Sequence, residues 1–249
     1  MALNDIQREM YTRQIMIKEI GEEGQLKLAE ASVLVAGCGG LGSSALFYLA
    51  ASGIGHLGLC DYDTVTLSNL NRQILYTIDD EGKQKAITAD KRLRAINPEI
   101  KTTLYNEPMD EKLAKRVIKG YDIVVDCLDN FQTRFIVNDE CISADKPLVH
   151  AGAEGLYGQL MTIIPGKSPC LRCIFPDGIR TNTKNNSVEP EKGVIGPIPG
   201  VIGSMQAMEV IKLLLGLPVS CNGPVTYDGI TQSIKKVKLK QAADCICIK

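Results

Sequence analysis

Val33-Leu34-Val35-Ala36-Gly37-Cys38-Gly39-Gly40-Leu41-Gly42 is the stretch that decides the fold. A short apolar run ends in glycines and passes directly into Leu41, Ala45, Leu46, Leu49 and Ala50, spaced as one face of a helix. The order is strand, tight turn, helix, with Gly37, Gly39 and Gly42 in the G-x-G-x-x-G register. Gly37 permits the sharp turn, Gly39 and Gly40 let backbone N–H groups approach phosphate, and Gly42 lets helix and strand pack closely. The free N–H groups and positive end of the helix then attract an anion. Asp61 ends the next apolar run, Leu57-Gly58-Leu59-Cys60, where a ribose-binding carboxylate is expected. Taken alone, this pattern reads as a nucleotide site, and a dinucleotide site first of all.

Working outward, strands are expected over 32–36, 57–60, 100–105, 123–127 and 148–151, separated by helical patterns over 41–52, 79–96, 111–118 and 131–144. The helix over 79–96 has Asp79 and Asp80 as cap candidates and Asn97-Pro98 as its stop. Such alternation predicts an α/β fold: a Rossmann-like, doubly wound, mostly parallel sheet. Residues 4–20 read as one helix stopped by Gly21 and Gly24, lying outside the sheet and available to a partner subunit. Beyond residue 150 the style changes. Segments 158–164, 225–227 and 234–239 read as strands of an antiparallel C-terminal extension, and 201–216 as a strong helix. The long Pro-, Gly- and Asn-rich loop over 165–200 reads as functional, disordered or pinned, with Cys170-Leu171-Arg172-Cys173 at its start as the candidate pin. The expected organisation is one domain over 1–249, with a helical arm (1–30), a nucleotide-binding core (31–152) and the extension (153–249).

A net charge of −1 gives no electrostatic case for nucleic acid or an anionic membrane. Residues 1–14 are polar and mixed in charge, unlike a signal peptide. The most apolar window, 201–217, carries Gln206, Glu209 and Lys212 and reads as a buried helix. A cytoplasmic protein is expected. Nine scattered cysteines do not form a secreted disulfide framework. Cys38, Cys60, Cys127 and Cys141 read as small buried hydrophobes, and Cys221 has no assignment. Cys170-x-x-Cys173 has zinc-hook spacing.

The discriminating block is Asp61-Tyr62-Asp63-Thr64-Val65-Thr66-Leu67-Ser68-Asn69-Leu70-Asn71-Arg72-Gln73. A dehydrogenase needs little after the ribose acid, whereas this segment offers amides, hydroxyls and Arg72 beyond the sheet's carboxyl edge. Lys85 follows at the start of a helix, and Cys127-Leu128-Asp129-Asn130 brings Asp129 to the same edge. Cations for a triphosphate and one carboxylate for Mg²⁺ are what nucleotidyl transfer requires. Each residue has an ordinary reading by itself: Arg72 and Lys85 as solvated charges, Asp129 as a helix cap, Arg13 as an exposed helix residue, and His56 and His150 as structural.

Seven motifs in order resemble the ThiF/MoeB/HesA family, bacterial relatives of ubiquitin-activating enzymes. They are Tyr11-Thr12-Arg13-Gln14, the glycine turn, the 61–73 block, Lys83-Gln84-Lys85-Ala86, Ile96-Asn97-Pro98, Cys127-Leu128-Asp129 and Gly200-Val201-Ile202-Gly203-Ser204-Met205-Gln206-Ala207. The resemblance implies an adenylyltransferase. It would bind ATP and Mg²⁺ and activate the C-terminal Gly-Gly carboxylate of a small ubiquitin-fold sulfur carrier of thiamine or molybdopterin type, releasing pyrophosphate. It also implies roles: Gly40 and Asp61 on backbone phosphate and ribose, Asn69, Arg72, Gln73 and Lys85 on the triphosphate, and Asp129 on Mg²⁺. Arg13 would reach the partner's site in a homodimer. A four-thiolate structural zinc site is implied as well, for which this chain offers Cys170, Cys173, Cys245 and Cys247 as C-x-x-C and C-x-C. Where some family members carry a cysteine in the long loop, this chain has Glu189, so sulfur is expected from a separate donor protein. The alternatives are the same chemistry on another acyl substrate (a tRNA threonylcarbamoyladenosine dehydratase-like or peptide-modifying enzyme), an NAD-dependent oxidoreductase, or a catalytically dead scaffold.

Overall fold

The computed structural model describes residues 2–176 and 193–248. Eight strands form one sheet: β1 (Ser32–Ala36), β2 (His56–Cys60), β3 (Lys101–Tyr105), β4 (Ile123–Asp126), β5 (Leu148–Glu154), β6 (Tyr157–Ile163), β7 (Val225–Asp228) and β8 (Ser233–Lys236), in spatial order β3-β2-β1-β4-β5-β6-β7-β8. The first five pair in parallel and the last three antiparallel. β5 runs past the expected residue 151 to Glu154, because a hairpin joins it to β6 in register.

The pleat decides which helices go where. Val33, Val35, Leu57, Leu59, Val125 and Val149 point to one face. There they meet α4 (Gly40–Ala51), α5 (Lys85–Ile96) and α9 (Pro197–Leu215). Leu34, Ala36, Val124 and Leu148 point to the other face, under α6 (Glu111–Val117) and α7 (Phe131–Ser143). Leu46 and Leu49 of α4 are fully buried, each worth about 1.5–3 kcal/mol of burial, which fixes the axis of the helix that follows the glycine turn. Among the described residues α9 alone is long and apolar enough to cross a membrane. Its inner side (Ile198, Ile202, Gln206, Val210) is buried, so it packs as a core helix of this fold.

Four expectations need correction. The helix over 4–20 is broken into α1 (Asp5–Met10) and α2 (Thr12–Ile15), and Gly21, taken as a stop, instead opens α3 (Gly21–Glu30) with Gly24 buried inside it. The break falls at Tyr11, which is buried and accepts a hydrogen bond from Asn97 Nδ2 at 2.7 Å, so tertiary anchoring overrides helix continuity. The helix over 79–96 begins only at Lys85, with Gln84 rather than Asp79 or Asp80 as its cap. Asp80 instead closes its own short turn over Ile78–Asp80. The strand over 234–239 ends at Lys236, although Val237 and Leu239 still donate to Pro224 and Asn222. The long loop contains α8 (Leu171–Ile174), and α9 starts at Pro197, inside the segment read as loop.

Candidate active site

The chain leaves β1 for β2 on one side and crosses to β4 on the other, so the sheet switches direction between β1 and β4. Ligands of open α/β sheets bind in the crevice at such a point. The glycine turn fills its floor. Gly37 has φ +98°, and a Cβ there would lie 2.6 Å from the Cys127 carbonyl; one at Gly42 would lie 2.1 Å from the Gly37 carbonyl. No side chain fits at either place, so the turn lies flat between β1 and β4. Gly39 precedes α4 with no side-chain cap, leaving the first N–H groups of a 12-residue helix open to an anion.

Asp61 stands beside the turn. Its carboxylate accepts the Cys38 N–H at 2.8 Å and the Asp63 N–H at 2.9 Å. Burial pushes its pKa up, against these bonds and nearby Lys85. Each oxygen keeps acceptor capacity for a ribose hydroxyl. Asp63 and Lys85 form an ion pair at 3.0 Å, with the Lys85 side chain buried and that of Asp63 half-exposed. Lys85 Nζ is thus held at the crevice by the carboxylate two residues from the ribose position. Arg72 has no carboxylate partner among the described residues; it donates to the Ser68 carbonyl at 2.9 Å and to Asn71 Oδ1 at 3.1 Å, close to Gly40. Asn69 is half-buried and its Oδ1 accepts the Thr66 N–H at 3.4 Å. Gln73 is buried against Gly39, with Oε1 lacking any partner. An unpaired buried amide oxygen costs about 1–3 kcal/mol.

Asp129 reaches the same edge from β4. It is exposed, and its described contact is Asn130 Nδ2 at 3.4 Å. An exposed carboxylate free of any cation among the described residues is donor chemistry that suits Mg²⁺. Asn130 itself caps α7 by accepting the Thr133 N–H at 2.9 Å. The thiols nearest the turn, Cys38 and Cys127, are fully enclosed and burial pushes both well above the ordinary thiol value. Neither offers a nucleophile at neutral pH.

Arg13 is not part of this cluster. Its neighbour Gln14 donates to Gln25 Oε1 at 3.0 Å and to the Ser52 carbonyl at 3.3 Å. Arg13 therefore sits at the far end of α4, about 18 Å of helix away from the turn, with an exposed side chain.

The cysteine pairs converge elsewhere. Cys170 Sγ lies 3.5 Å from Cys245 Sγ and Cys173 Sγ lies 3.4 Å from Cys247 Sγ, with all four within 4.8 Å of one another. These distances are far from the ~2.05 Å of a disulfide and near the ~3.8 Å edge of a tetrahedral thiolate–zinc site. The C-x-C end therefore brings two thiols to the same cluster as the C-x-x-C pair. Burial and the Cys245 thiol push Cys170 up to about 11, whereas at Cys173 burial is outweighed by hydrogen bonds, that from the Ala242 N–H first, which hold the thiol below its ordinary value. Arg172, between the two knuckle cysteines, forms a bidentate pair with Asp139 of α7 (2.7 and 3.1 Å) and lies 4.5 Å over the Phe135 ring. Glu189 lies outside the described residues.

Several groups at the site have partners that the sequence did not reveal. Tyr76 is buried under the turn and donates to the Cys38 carbonyl at 2.8 Å. Gln206 of α9 donates to the Asp126 and Val149 carbonyls at 2.8 and 3.0 Å. His150, read as structural and partnerless, is paired with buried Asp126 at 2.6 Å. All depend on residues distant in the chain, which periodicity cannot expose.

The comparisons with known proteins agree with this geometry. The ThiF family profile matches residues 11–247. The adenylyltransferase and sulfurtransferase MOCS3 of Xenopus laevis is 43% identical over 94% of this chain and 52% of its own length. Its Mus musculus counterpart is 42% identical over 95% and 51%. The chain spans about half the length of these relatives. Among solved structures, E. coli MccB superposes with a TM-score of 0.85 at 27% identity, covering 96% of this chain and 72% of MccB. E. coli MccB with ATP superposes at 0.79 and 29%, covering 89% and 68%. A family profile running from Tyr11 to Cys247, over a switch-point glycine turn, places this chain in the ThiF family.

Proposed function

We propose that this chain is an ATP-dependent adenylyltransferase that activates the C-terminal Gly-Gly carboxylate of a ubiquitin-fold sulfur-carrier protein. The observation that carries the reading is an uncapped glycine-turn helix with Arg72 beside Gly40 and Lys85 held by Asp63, while the thiols at the turn, Cys38 and Cys127, are pushed well above the ordinary thiol value by burial. The substrate carboxylate is itself the nucleophile. It attacks the α-phosphorus of ATP, the bond to the β-phosphate oxygen breaks, and acyl-adenylate and pyrophosphate leave. What the protein supplies is positioning and charge stabilisation. Gly37, Gly39, Gly40 and Gly42 shape the phosphate bed and Asp61 holds the ribose. Asn69, Arg72, Gln73 and Lys85 engage the phosphates, with Asp63 presenting Lys85. Mg²⁺, held through Asp129, would neutralise charge on the phosphate oxygens.

Sulfur transfer in the names of the MOCS3 relatives supports a sulfur carrier over another acyl substrate. With Glu189 in the long loop, sulfur delivery is assigned to a separate donor. We take 1–249 as one adenylation unit whose four cysteines hold structural Zn²⁺, in a reducing, cytoplasmic setting. The active form is a homodimer. Arg13 cannot reach its own crevice, and α9 offers a shallow cavity of about 620 Å³ lined by Pro197, Gly200, Val201, Ser204, Met205 and Met208 beside the glycine turn. Val201 and Met208 are exposed there.

ATP–pyrophosphate exchange with purified protein and Gly-Gly-ending carriers, one at a time, tests the reading. Exchange should depend on one carrier, and Asp129→Ala or Arg72→Ala should each reduce it by about 10²-fold or more with the fold intact. Near-normal exchange in both variants would overturn the site. Carrier-independent exchange, or none with any carrier, would overturn the substrate.

A further inference from the structure

The residues from β4 to α7 cross the crevice with little ladder support. Cys127 N–H donates to the Ala36 carbonyl at 2.8 Å, and Asn130 begins the α7 cap. Between them, the two ends of residue Leu128 are held by side chains. Its N–H donates to Asp126 Oδ1 at 3.0 Å, and its carbonyl accepts from Arg134 Nη2. The next side chain is Asp129. Asp126 is fully buried, and its other oxygen lies 2.6 Å from His150 Nδ1. The Arg134 side chain is 8% exposed; its Nε is 3.9 Å from Asp126 Oδ1 and has no hydrogen-bond partner.

Three buried titratable groups are an expensive way to tie down one turn, because desolvation offsets most of their mutual attraction. A hydrophobic filling would stabilise the sheet as well. What the charges add is direction: an acceptor on one side of residue 128 and a forked donor on the other fix the peptide planes from which Asp129 projects. A carboxylate that meets a metal beside phosphates needs placement to within about 0.5 Å. We propose that Arg134 is a positioning residue for the Asp129 carboxylate, acting through the Leu128 carbonyl in concert with the Asp126–His150 pair. The inference rests on the proposed metal role of Asp129. It adds Arg134, Asp126 and His150 to the machinery without placing any of them on the nucleotide.

The test uses Mn²⁺ as probe, bound to the purified protein with a non-hydrolysable ATP analogue and read by its electron paramagnetic resonance against Mn²⁺ on the free analogue. Arg134→Lys keeps the charge and loses the planar fork. It should weaken Mn²⁺ in the ternary complex about tenfold, as loss of an outer-shell partner does. Metal-free analogue binding and the thermal midpoint should stay near wild type. Adding Arg134→Lys to Asp129→Asn should cause no further loss, because the effect runs through that carboxylate. Wild-type Mn²⁺ affinity in Arg134→Lys would overturn the inference, as would an equal loss in the Asp129→Asn background. If Asp129→Asn alone leaves Mn²⁺ affinity unchanged, the metal role itself falls, and that result is read without touching Arg134. His150→Asn gives an independent measurement should Arg134→Lys not fold. It removes the imidazole behind Asp126 and should weaken Mn²⁺ in the same direction; unchanged affinity there would also overturn the proposal.

Discussion

At the scale of single residues, the glycine turn is legible because its requirement is local. Only a residue without Cβ fits against the Cys127 and Gly37 carbonyls, and the sequence has glycine at both places. Asp80 shows the opposite case. Two adjacent acids before a helical pattern suggest a cap, yet the Asp80 carboxylate accepts the Thr77 N–H at 3.0 Å and pairs with Lys83 and Arg92, each at 3.1 Å. Burial opposes its charge, but the Thr77, Lys83 and Arg92 bonds prevail and hold it well below the usual carboxylate range. A depressed native value means the contribution is complete above the ordinary carboxylate pKa of about 3.9 and is lost as pH falls towards the native one. Asp80→Asn should therefore cost about 1–3 kcal/mol near neutrality, and the gap to wild type should narrow below about pH 4. Urea unfolding from pH 7 to pH 3 measures it. A constant gap down to pH 3 would refute the assignment.

At the scale of elements, strands were more legible than helix ends. Every strand in the parallel part begins within one residue of its expected start; the central strands, covered on both faces, carry mostly apolar runs, and the edge strand β3 is only partly buried. Helix boundaries moved wherever a side chain found a distant partner, as Tyr11 did with Asn97. The long loop was expected to be functional, disordered or pinned, and the convergence of Cys170, Cys173, Cys245 and Cys247 offers a candidate pin at its start. It ties the knuckle, α7 through Arg172 and Asp139, and the last described turn together. Reduced, purified protein should contain about one zinc per chain, one tetrahedral site needing four thiolates. Chelation should remove about 2.7 kcal/mol if metal was present at 100 times its Kd, lowering Tm by roughly 5–10 °C. Metal analysis and melting curves check this; a metal-free protein with an unchanged melt would retire the site.

At the scale of the whole molecule, the arm and the crevice lie at opposite ends of α4. Separation of this kind makes sense when two copies complete each other's sites. Mixing Arg13→Ala subunits with Asp129→Ala subunits should then restore exchange to about a quarter of wild type, the share of good sites expected from random pairing of equal pools if each site acts alone. Subunit exchange followed by the pyrophosphate assay measures it, and no recovery from mixed dimers would exclude an arm working in trans. The sequence alone determined the fold class and the glycine turn, because backbone sterics, pleat periodicity and ordered motifs are properties of short segments. Only the tertiary structure decided that Lys85 is held by Asp63, that Gln73 keeps an unpaired oxygen, and that Arg134 and the Asp126–His150 pair clamp the turn carrying Asp129. Each of those facts joins residues that chain entropy keeps apart until the sheet has formed.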